Sequence, residues 1–349
     1  MMNAAKLTER QQLILGLVVQ DYVERAQPVG SSHLVRHYGL DVSPATVRNE
    51  MSALADAGFL RQPHTSAGRV PTEAGYRFFV GELMHRTDLP EATKHTISHQ
   101  FYQARHEVGQ WMKLAASVLA STSMAASLVT LPQSRRARFK HVELILTSGR
   151  QVLMVLVLDD GQVIQQMLVL KESLGQEQLS RAAAEINGLF SGKTLAALNE
   201  SRPDVGNLAD DIIKLVQIEL EANPGQLGGE VFHDGWKNVL SEPEFSATDA
   251  AQRALRVLEE RPLLEDLLAQ TMRSSEIGGV QVLIGGEGRW EELNDFSLVL
   301  ARYGSADAAR GFLGVMGPMR MSYSRAVSTV DYVAGLLSDI VEETMTKSD

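Results

Sequence analysis

The stretch from Ser43 to Gly58 constrains the fold of this chain most strongly, because both ends of a short helix are marked in it. Ser43 is a residue type that caps free backbone N–H groups, and Pro44 fits the first helical position, where no N–H is needed. Gly58 supplies the permissive backbone that commonly ends a helix. The spacing of the apolar residues between these ends predicts an amphipathic helix with one buried face: Val47, Met51 and Leu54.

The opposite face of this helix is polar near its N-terminus and includes Arg48 and Asn49. Such a face suits the second helix of a helix-turn-helix, whose N-terminal residues enter the major groove of DNA. Arginine pairs with guanine and asparagine with adenine through two atoms each, which allows direct reading of bases. We therefore predict that four side chains contact base edges: Thr46, Arg48, Asn49 and Ser52.

Two further helices are predicted before this one. Thr8 and Gln11 have the spacing of a capping box, and apolar residues follow them at helical intervals. A second, shorter helix begins at Ser31 or Ser32 and is stopped by Gly39. Two short helices joined by a few residues, after a longer helix, make the helix-turn-helix layout.

A hairpin is predicted after the helix-turn-helix, which makes a winged version. Phe59–Gln62 is interpreted as one strand, Pro63–Gly68 as a turn and Arg69–Val70 as the return strand. Wings of this kind usually contact the phosphate backbone or the minor groove. Capped helices and polar turns are common elsewhere, but their ordered combination within about eighty residues favours DNA binding. The residues predicted to contact the backbone or to act in the wing are Ser43, Arg61, His64, Thr65, Ser66 and Arg69.

The charge distribution favours local rather than general binding of DNA. Residues 1–88 carry nine basic and nine acidic side chains, so the whole net charge of −10 lies in the rest of the chain. An acidic body argues against a protein that binds polyanions indiscriminately. A neutral N-terminal part can bind DNA while the body is repelled by it.

The composition also indicates the cellular compartment of the protein. The chain has no cysteine, which excludes disulfides and thiolate metal sites and fits a reducing cytosol. Its first ten residues lack the apolar core of a signal peptide, and its longest apolar runs are too short to span a bilayer. We therefore expect a cytoplasmic protein with no membrane partner.

The rest of the chain is predicted to mix helices and strands. One long helix is expected over Glu91–Met124, and three strands follow at 141–147, 151–158 and 162–170, joined by hairpin turns. Because Val152–Leu158 is apolar throughout, that strand is expected to be central and buried on both faces.

Residues 203–274 change character and are predicted to be mostly helical, with loops rich in glycine, asparagine and proline. Strands resume at Val280 and are followed by a C-terminal amphipathic helix from Ser324 to Met345. A helical segment bracketed by strands suggests an insertion into an α+β sheet domain.

Three patterns after residue 88 resemble ligand-binding sites, but we do not interpret them primarily as such. His95 and His99 have a spacing that can bind zinc, but nothing nearby completes the ligand set, which favours a solvated helix face. Ser191–Thr194 lacks the first glycine of a phosphate-binding Walker loop and follows a helix. The basic cluster Arg135–Lys140 is interpreted as a solvated loop, with an extra phosphate contact as the alternative. We predict no catalytic residue, no metal and no cofactor, and hence no enzyme.

The run from Leu7 to Tyr76 resembles the HrcA family, the heat-inducible transcription repressors of bacteria. The likeness is carried by three segments near the N-terminus: Pro28–Ser31, Val42–Asn49 and Gln62–Thr72. It continues, less specifically, in three C-terminal segments: Gly285–Glu287, Phe296–Val299 and Gly317–Tyr323.

This resemblance implies a repressor that binds an inverted repeat, the CIRCE element, upstream of chaperone operons, and that the chaperonin helps to keep active. It also implies a GAF-like domain interrupted by an inserted dimerisation domain. The expected α+β multidomain chain has a winged helix-turn-helix in 1–88 and a first GAF-like part in 89–202. The helical insert is then expected in 203–274 and the second GAF-like part in 275–349.

The expected function is that of a homodimeric repressor with double-stranded DNA and the chaperonin as partners. Two winged helices would read the two halves of an inverted repeat, because the two-fold symmetry of a dimer matches that of the operator. The alternative is a metabolite-responsive transcription regulator, since GAF-like sheets often hold small ligands.

Overall fold

The computed structural model describes a chain that divides into two compact units. Unit 1 comprises Met1–Thr130, Val231–Tyr303 and Gly311–Ile340, and unit 2 comprises Leu131–Glu230, Gly304–Arg310 and Val341–Asp349. The described residues are 7–64, 68–85, 87–104, 107–134, 138–159, 163–170, 172–193, 212–214, 216, 230–245, 253, 256, 260–271, 277–285, 290–305 and 309–345.

The first part of unit 1 consists of helices followed by a short hairpin, and we call residues 7–85 the N-terminal module. A final helix after the hairpin is extended by one π-helical turn, Phe79–Leu83. In chain order the elements are α1 (Glu9–Arg25), α2 (Ser31–Tyr38), α3 (Pro44–Asp56), β1 (Leu60–Arg61), β2 (Val70–Pro71) and α4 (Glu73–Phe78).

Side-chain caps set the starts of three of these four helices. Thr8 and Gln11 exchange hydrogen bonds at the start of α1, so the predicted capping box is confirmed. Ser43 accepts a hydrogen bond from the Thr46 N–H at the start of α3, as predicted. Thr72 accepts from Gly75 N–H in the same way at the start of α4.

The predicted apolar face of α3 is confirmed as part of the module's core. Val47, Met51 and Leu54 are each at most 3% exposed, and α3 packs against both α1 and α2. Gly58 has a φ of +83°, which few other residues adopt without strain, so it turns the chain out of α3 into the hairpin.

Fifteen further helices and strands, apart from short 3₁₀ turns, follow in the described residues after the N-terminal module. They begin with α5 (Glu91–Gln103), α6 (Val108–Ser123), β3 (Ala126–Thr130), β4 (Gln133–Ser134), β5 (Phe139–Ser148), β6 (Gln151–Leu158), β7 (Val163–Val169) and α7 (Gln176–Phe190). They continue with β8 (Val231–Asp234), α8 (Trp236–Leu240), α9 (Arg261–Thr271), β9 (Val280–Ile284), β10 (Phe296–Gly304), β11 (Ala309–Pro318) and α10 (Tyr323–Met345).

The helix predicted over Glu91–Met124 is wrong in one respect, because the structure has two helices there, α5 and α6. The backbone is extended at Ala104, with φ −64° and ψ 141°, and again at Glu107, with φ −124° and ψ 120°. These two residues end α5 and precede α6, so the amphipathic pattern is divided between two helices.

Unit 1 is built on an antiparallel sheet with the strand order β8-β3-β11-β10-β9. Helix α6 packs against β3 and β8, and the inner strands β10 and β11 are almost wholly buried. Tyr303 on β10 is fully buried, and its hydroxyl donates to the Thr130 carbonyl. A Cβ on Gly311 would lie 2.4 Å from the Tyr303 ring, so only glycine leaves room for that ring.

A tyrosine pair joins the N-terminal module to this sheet, and we call it the tyrosine junction. The rings of Tyr76 in α4 and Tyr323 in α10 have centroids 6.0 Å apart. The Tyr323 hydroxyl donates to the Met319 carbonyl at 2.6 Å and is 2.7 Å from Ser297 Oγ. The Tyr76 hydroxyl is buried and has no hydrogen-bond partner within the described part of the chain. Burial raises the pKa of both phenols above its ordinary value of 10.

Unit 2 is a three-stranded antiparallel sheet, β5-β6-β7, with α7 packed on one face. Strand β6 is central, as predicted, but it is buried on one face only. Val152, Met154, Leu156 and Leu158 point into the core under α7, whereas the alternate residues are half-buried. The expectation of burial on both faces is wrong because only one face carries a helix in the described residues.

The outer edge of β5 is covered by two side-chain amides of α7. Asn187 accepts from Val142 N–H at 2.7 Å and donates to the carbonyl of the same residue at 3.0 Å. Gln176 accepts from Leu146 N–H and donates to the Leu144 carbonyl, both at 2.8 Å. These bonds replace those of a further strand, so this edge is closed to pairing.

The bounds of unit 2 differ from those predicted for the insert, 203–274. The chain passes from unit 1 to unit 2 at Leu131 and returns to unit 1 at Val231, where β8 pairs antiparallel with β3. Described residues after β8, such as Val239, Phe245 and Leu267, are buried in unit 1. Unit 2 therefore begins earlier in the chain than residue 203 and contains strands as well as helix.

Candidate nucleic-acid interface

The exposed face of α3 presents two side chains that are free to bind a ligand. Arg48 and Asn49 are exposed, and neither has a hydrogen-bond or ion-pair partner among the described residues. They lie within the first two turns of the helix, which is the part that enters the groove in helix-turn-helix proteins. Both were predicted from the sequence as base-contacting residues.

The other two predicted base-contacting residues have partners within the module. The Thr46 hydroxyl lies 2.9 Å from Ser43 Oγ, so it belongs to the cap of α3. The Ser52 hydroxyl accepts from Arg69 Nη2 at 3.4 Å. These two side chains hold the helix start and a basic residue of the hairpin in place beside Arg48 and Asn49.

The base of the hairpin is joined to the start of α2. Val29 and Arg69 exchange two backbone hydrogen bonds, at 2.8 and 2.9 Å, and form an antiparallel bridge. A Cβ on Gly68 would lie 2.3 Å from the Val29 carbonyl oxygen, so glycine is required at this crossing. The bridge adds a third backbone segment to the β1–β2 hairpin and fixes the position of Arg69.

A cleft of about 480 Å³ lies between the start of α2, the exposed side of α3 and the base of the hairpin. Two arginines and several hydroxyl and amide groups line it, and none of its lining residues is acidic. Its walls are formed by Val29, Gly30, Ser31, Ser32, Arg48, Met51, Ser52, Gln62, Gly68 and Arg69. We call it the α2–wing cleft.

The remaining predicted wing residues do not line this cleft. Arg61 is exposed on β1, and His64 is exposed in the turn that follows. Thr65 and Ser66 lie outside the described residues. The structure thus brings Arg48, Ser52 and Arg69 together and leaves the other two described wing residues apart from them.

Sequence reasoning missed the contribution of α2 to this surface. Gly30, Ser31 and Ser32 form the cleft wall opposite Arg69. One signal was available, because glycine at an N-cap leaves a helix start without a side-chain acceptor. Gln62 was also missed, although its side-chain oxygen accepts a hydrogen bond from Arg69 Nη1.

A charged cluster behind the surface fixes α2 on α1. Asp21 in α1 is buried, and its Oδ1 lies 2.7 Å from His33 Nε2 in α2. Arg25 Nη1 lies 3.4 Å from the other carboxylate oxygen of Asp21. A buried carboxylate needs such partners, and here they tie the two helices together.

The described residues contain neither a cluster suited to a metal ion nor a membrane-spanning helix. No group of three or more His, Asp or Glu side chains there is placed to hold a metal ion. No helix in that part of the chain is long and apolar enough to cross a membrane. His95 and His99 stack at 6.4 Å on the exposed side of α5.

Comparison with known proteins covers nearly the whole chain. The family model described as HrcA protein C terminal domain matches residues 109–327. The heat-inducible transcription repressor HrcA of Roseiflexus castenholzii is 45% identical over 97% of this chain and 95% of its own. The repressor HrcA of Herpetosiphon aurantiacus is 45% identical over 96% of both chains, and that of Desulforamulus reducens is 34% identical over 95% and 96%.

One solved structure supports the fold. It is described as a hypothetical protein at 2.2 Å resolution, is 23% identical, and covers 97% of this chain and 100% of its own with a TM-score of 0.59. Helices in an N-terminal module followed by antiparallel sheets confirm the mixed α+β class. The resemblance noted from the sequence motifs is confirmed by the relatives, and the chain belongs to the HrcA family of heat-inducible transcription repressors.

Proposed function

We propose that this protein represses chaperone operons by binding, as a homodimer, an inverted-repeat operator of the CIRCE type. The observation that carries the proposal is the outward position of Arg48 and Asn49 on a capped α3, beside a hairpin fixed by Val29 and Arg69. Two such surfaces related by two-fold symmetry match the two halves of an inverted repeat. Occupying the operator would block transcription.

In this proposal the reading surface has two layers. Arg48 and Asn49 contact base edges, with Thr46 and Ser52 beside them in the groove and holding neighbouring groups in position. The DNA backbone is contacted by the helix cap and the hairpin: Ser43, Arg61, His64, Thr65, Ser66 and Arg69. Backbone contacts fix the register in which base edges are read.

The homodimer is proposed to form through the face of the unit 2 sheet that α7 leaves open. Ile145, Leu153 and Met167 lie side by side across β5, β6 and β7 on that face. Its exposed apolar side chains include Ile145, Val163, Met167 and Val169, which are 42–69% exposed. An apolar surface of this kind marks an interaction site. A second copy is the fitting occupant because a two-fold operator requires two reading surfaces.

Loss of repression on heating is proposed to follow from loss of the folded dimer. Unfolding rates rise roughly three- to six-fold per 10 °C, so a marginally stable repressor would leave its operator as temperature increases. The chaperonin would return unfolded repressor to the active state in the cytoplasm. This part of the proposal is supported by membership of the family.

The metabolite-responsive alternative has less support in the described part of the sheet. The Tyr303 ring lies against Gly311 and its hydroxyl is bound to Thr130 O, so the space between α6 and β10 is filled by protein at that point. A ligand there would have to displace a fully buried tyrosine.

Footprinting with the purified full-length protein tests the proposed function. DNA carrying a CIRCE-type inverted repeat is compared with DNA in which one half-site is scrambled, at one salt concentration and with and without chaperonin. The expected result is protection of both half-sites of the intact repeat, loss of protection when one half is scrambled, and stronger protection with chaperonin. Equal affinity for the intact and scrambled DNA would refute operator recognition.

A further inference from the structure

The start of α2, unlike those of the other three helices of the module, has no side-chain cap. Its N-cap is Gly30, and the first bonds within the helix run from His33 and Leu34 to the Gly30 carbonyl, each at 3.1 Å. The N–H groups of Ser31 and Ser32 precede these bonds. Open N–H groups at a helix start carry partial positive charge and favour an anion.

A serine hydroxyl is available at the same place. Ser31 is only 7% exposed, it lines the α2–wing cleft, and its side chain has no hydrogen-bond partner among the described residues. Its hydroxyl can therefore donate to a group that is bound in the cleft.

The opposite wall of the cleft is positively charged. Arg69 is held there by its backbone bridge to Val29 and by side-chain bonds to Gln62 and Ser52. Arg48 lines the same cleft and carries a second guanidinium. Since no acidic side chain is among the lining residues, an anion would meet two cations and a helix start.

We infer that the α2–wing cleft binds one phosphate group between the start of α2 and Arg69. The Ser31 and Ser32 N–H groups and the Ser31 hydroxyl donate to it from one side, and the Arg69 guanidinium donates from the other. The phosphate is assigned to the backbone of the bound DNA, an assignment that rests on the proposed function. A free phosphate ion has the same chemistry and is the competing source. The inference makes α2 a backbone-binding element.

The test pairs protein variants with modified DNA. Arg69→Gln removes one of the two cations of the cleft, Ser31→Ala removes the hydroxyl that lines it, and Arg36→Gln removes an equal charge from the other end of α2. Operators carrying one neutral methylphosphonate at each backbone position in turn are bound by each variant over a range of salt concentrations. Thermal unfolding of every variant shows whether it is folded.

We expect Arg69→Gln to weaken binding to operator and random DNA by the same factor, about three- to tenfold, and to lower the salt slope by about one. Ser31→Ala should weaken binding to operator and to random DNA equally, but by a smaller factor. Arg36→Gln should leave both affinities within twofold of the wild-type values. One methylphosphonate position in each half-site should weaken the wild-type protein but have no further effect on Arg69→Gln. If the loss of affinity from Arg69→Gln and that from the methylphosphonate add at every backbone position, the inference is overturned.

Titration of inorganic phosphate into the DNA-free protein separates the two sources. We expect no saturable binding in the micromolar range, because a lone ion lacks the contacts that position the DNA backbone. Tight phosphate binding that Arg69→Gln abolishes, with no methylphosphonate position sensitive to that variant, would overturn the assignment to DNA. Failure of the wild-type protein to distinguish operator from random DNA would refute the proposed function instead. The effect of Arg69→Gln on the affinity for random DNA and on its salt slope would still test the cleft.

Discussion

At the scale of single residues, the reading surface depends on side chains that the fold leaves without partners. Arg48 and Asn49 are exposed and unpaired in the described part of the chain, although nearby polar side chains such as Ser52 are engaged. This outward position is what the proposed contact with DNA requires.

Replacing Arg48 with alanine should therefore reduce specificity. We expect operator affinity to fall by about 1–3 kcal/mol, because a bidentate contact to one base is lost, while affinity for random DNA stays nearly constant. Fluorescence anisotropy with both DNAs measures the two effects, and Arg36→Ala is the charge-matched control. An equal loss on random DNA would show that Arg48 contacts phosphate only.

The tyrosine junction offers a second comparison between matched variants. Tyr76→Phe should leave stability unchanged or raise it by up to about 1 kcal/mol, because the hydroxyl removed is buried and unpaired. Tyr323→Phe should cost about 1–3 kcal/mol, because it strands the Met319 carbonyl and Ser297 hydroxyl. Urea unfolding at neutral pH measures both changes. Equal destabilisation would contradict the difference in hydrogen bonding.

The same pair predicts how stability responds to alkaline pH. Burial raises the pKa of Tyr76 and of Tyr323 in the folded protein, so above about pH 10 the unfolded chain loses protons that the folded one retains. Stability is then fully present below pH 10 and falls as pH rises toward the folded pKa values. The melting temperature should decline above pH 10, and less steeply in Tyr76→Phe. Identical slopes would show that the pKa of Tyr76 is the same in the folded and the unfolded protein.

At the scale of elements, local signals predicted the helices whose ends are marked by caps. Thr8 with Gln11, Ser43 with Pro44, and Gly39 placed α1, α3 and the end of α2 within a residue or two. The break between α5 and α6 was missed because Phe101, Val108 and Met112 keep a helical period across it. No glycine or proline lies between Phe101 and Val108, so only tertiary packing distinguishes one helix from two.

The contribution of the Ser43 cap to the stability of α3 can be measured. Ser43→Ala should destabilise α3 by about 0.5–2 kcal/mol, because the Thr46 N–H loses its acceptor. Hydrogen exchange of peptides from 44–56 reports this local change separately from unit 2. Ser43→Thr, which keeps a hydroxyl, should behave almost like the wild-type protein. Unchanged exchange in Ser43→Ala would mean that packing alone holds the helix start.

At the scale of the whole molecule, the function proposed here requires the unit 2 sheet to pair two chains. Met167→Glu places a charge on its open face, whereas Leu189→Glu places one on an exposed position of α7. We expect the first to give monomers by sedimentation and to weaken operator binding by about 10²–10⁴-fold, because linkage of two reading surfaces is lost. The second should remain dimeric. A dimeric Met167→Glu protein would place the interface elsewhere.

At this scale, the sequence did not predict which distant segments pair. Strand β8 pairs with β3, about a hundred residues earlier, and nothing in the sequence of Val231–Asp234 indicates that partner. The α2–wing cleft was incomplete for the same reason. Its residues come from three segments that a backbone bridge between Val29 and Arg69 brings together, and backbone bonds carry little side-chain signature.

That bridge also bears on the entropy of association. Val29 and Arg69 are joined during folding, and Gly68 allows a close approach of the two backbones at this crossing. The distance between the two walls of the cleft is therefore fixed before DNA binds. Ordering that has already occurred does not oppose binding later, which is the advantage of a preorganised surface. The base of the hairpin should therefore contribute little unfavourable entropy, and calorimetry would trace the entropic cost of the complex to the DNA and to the rest of the protein.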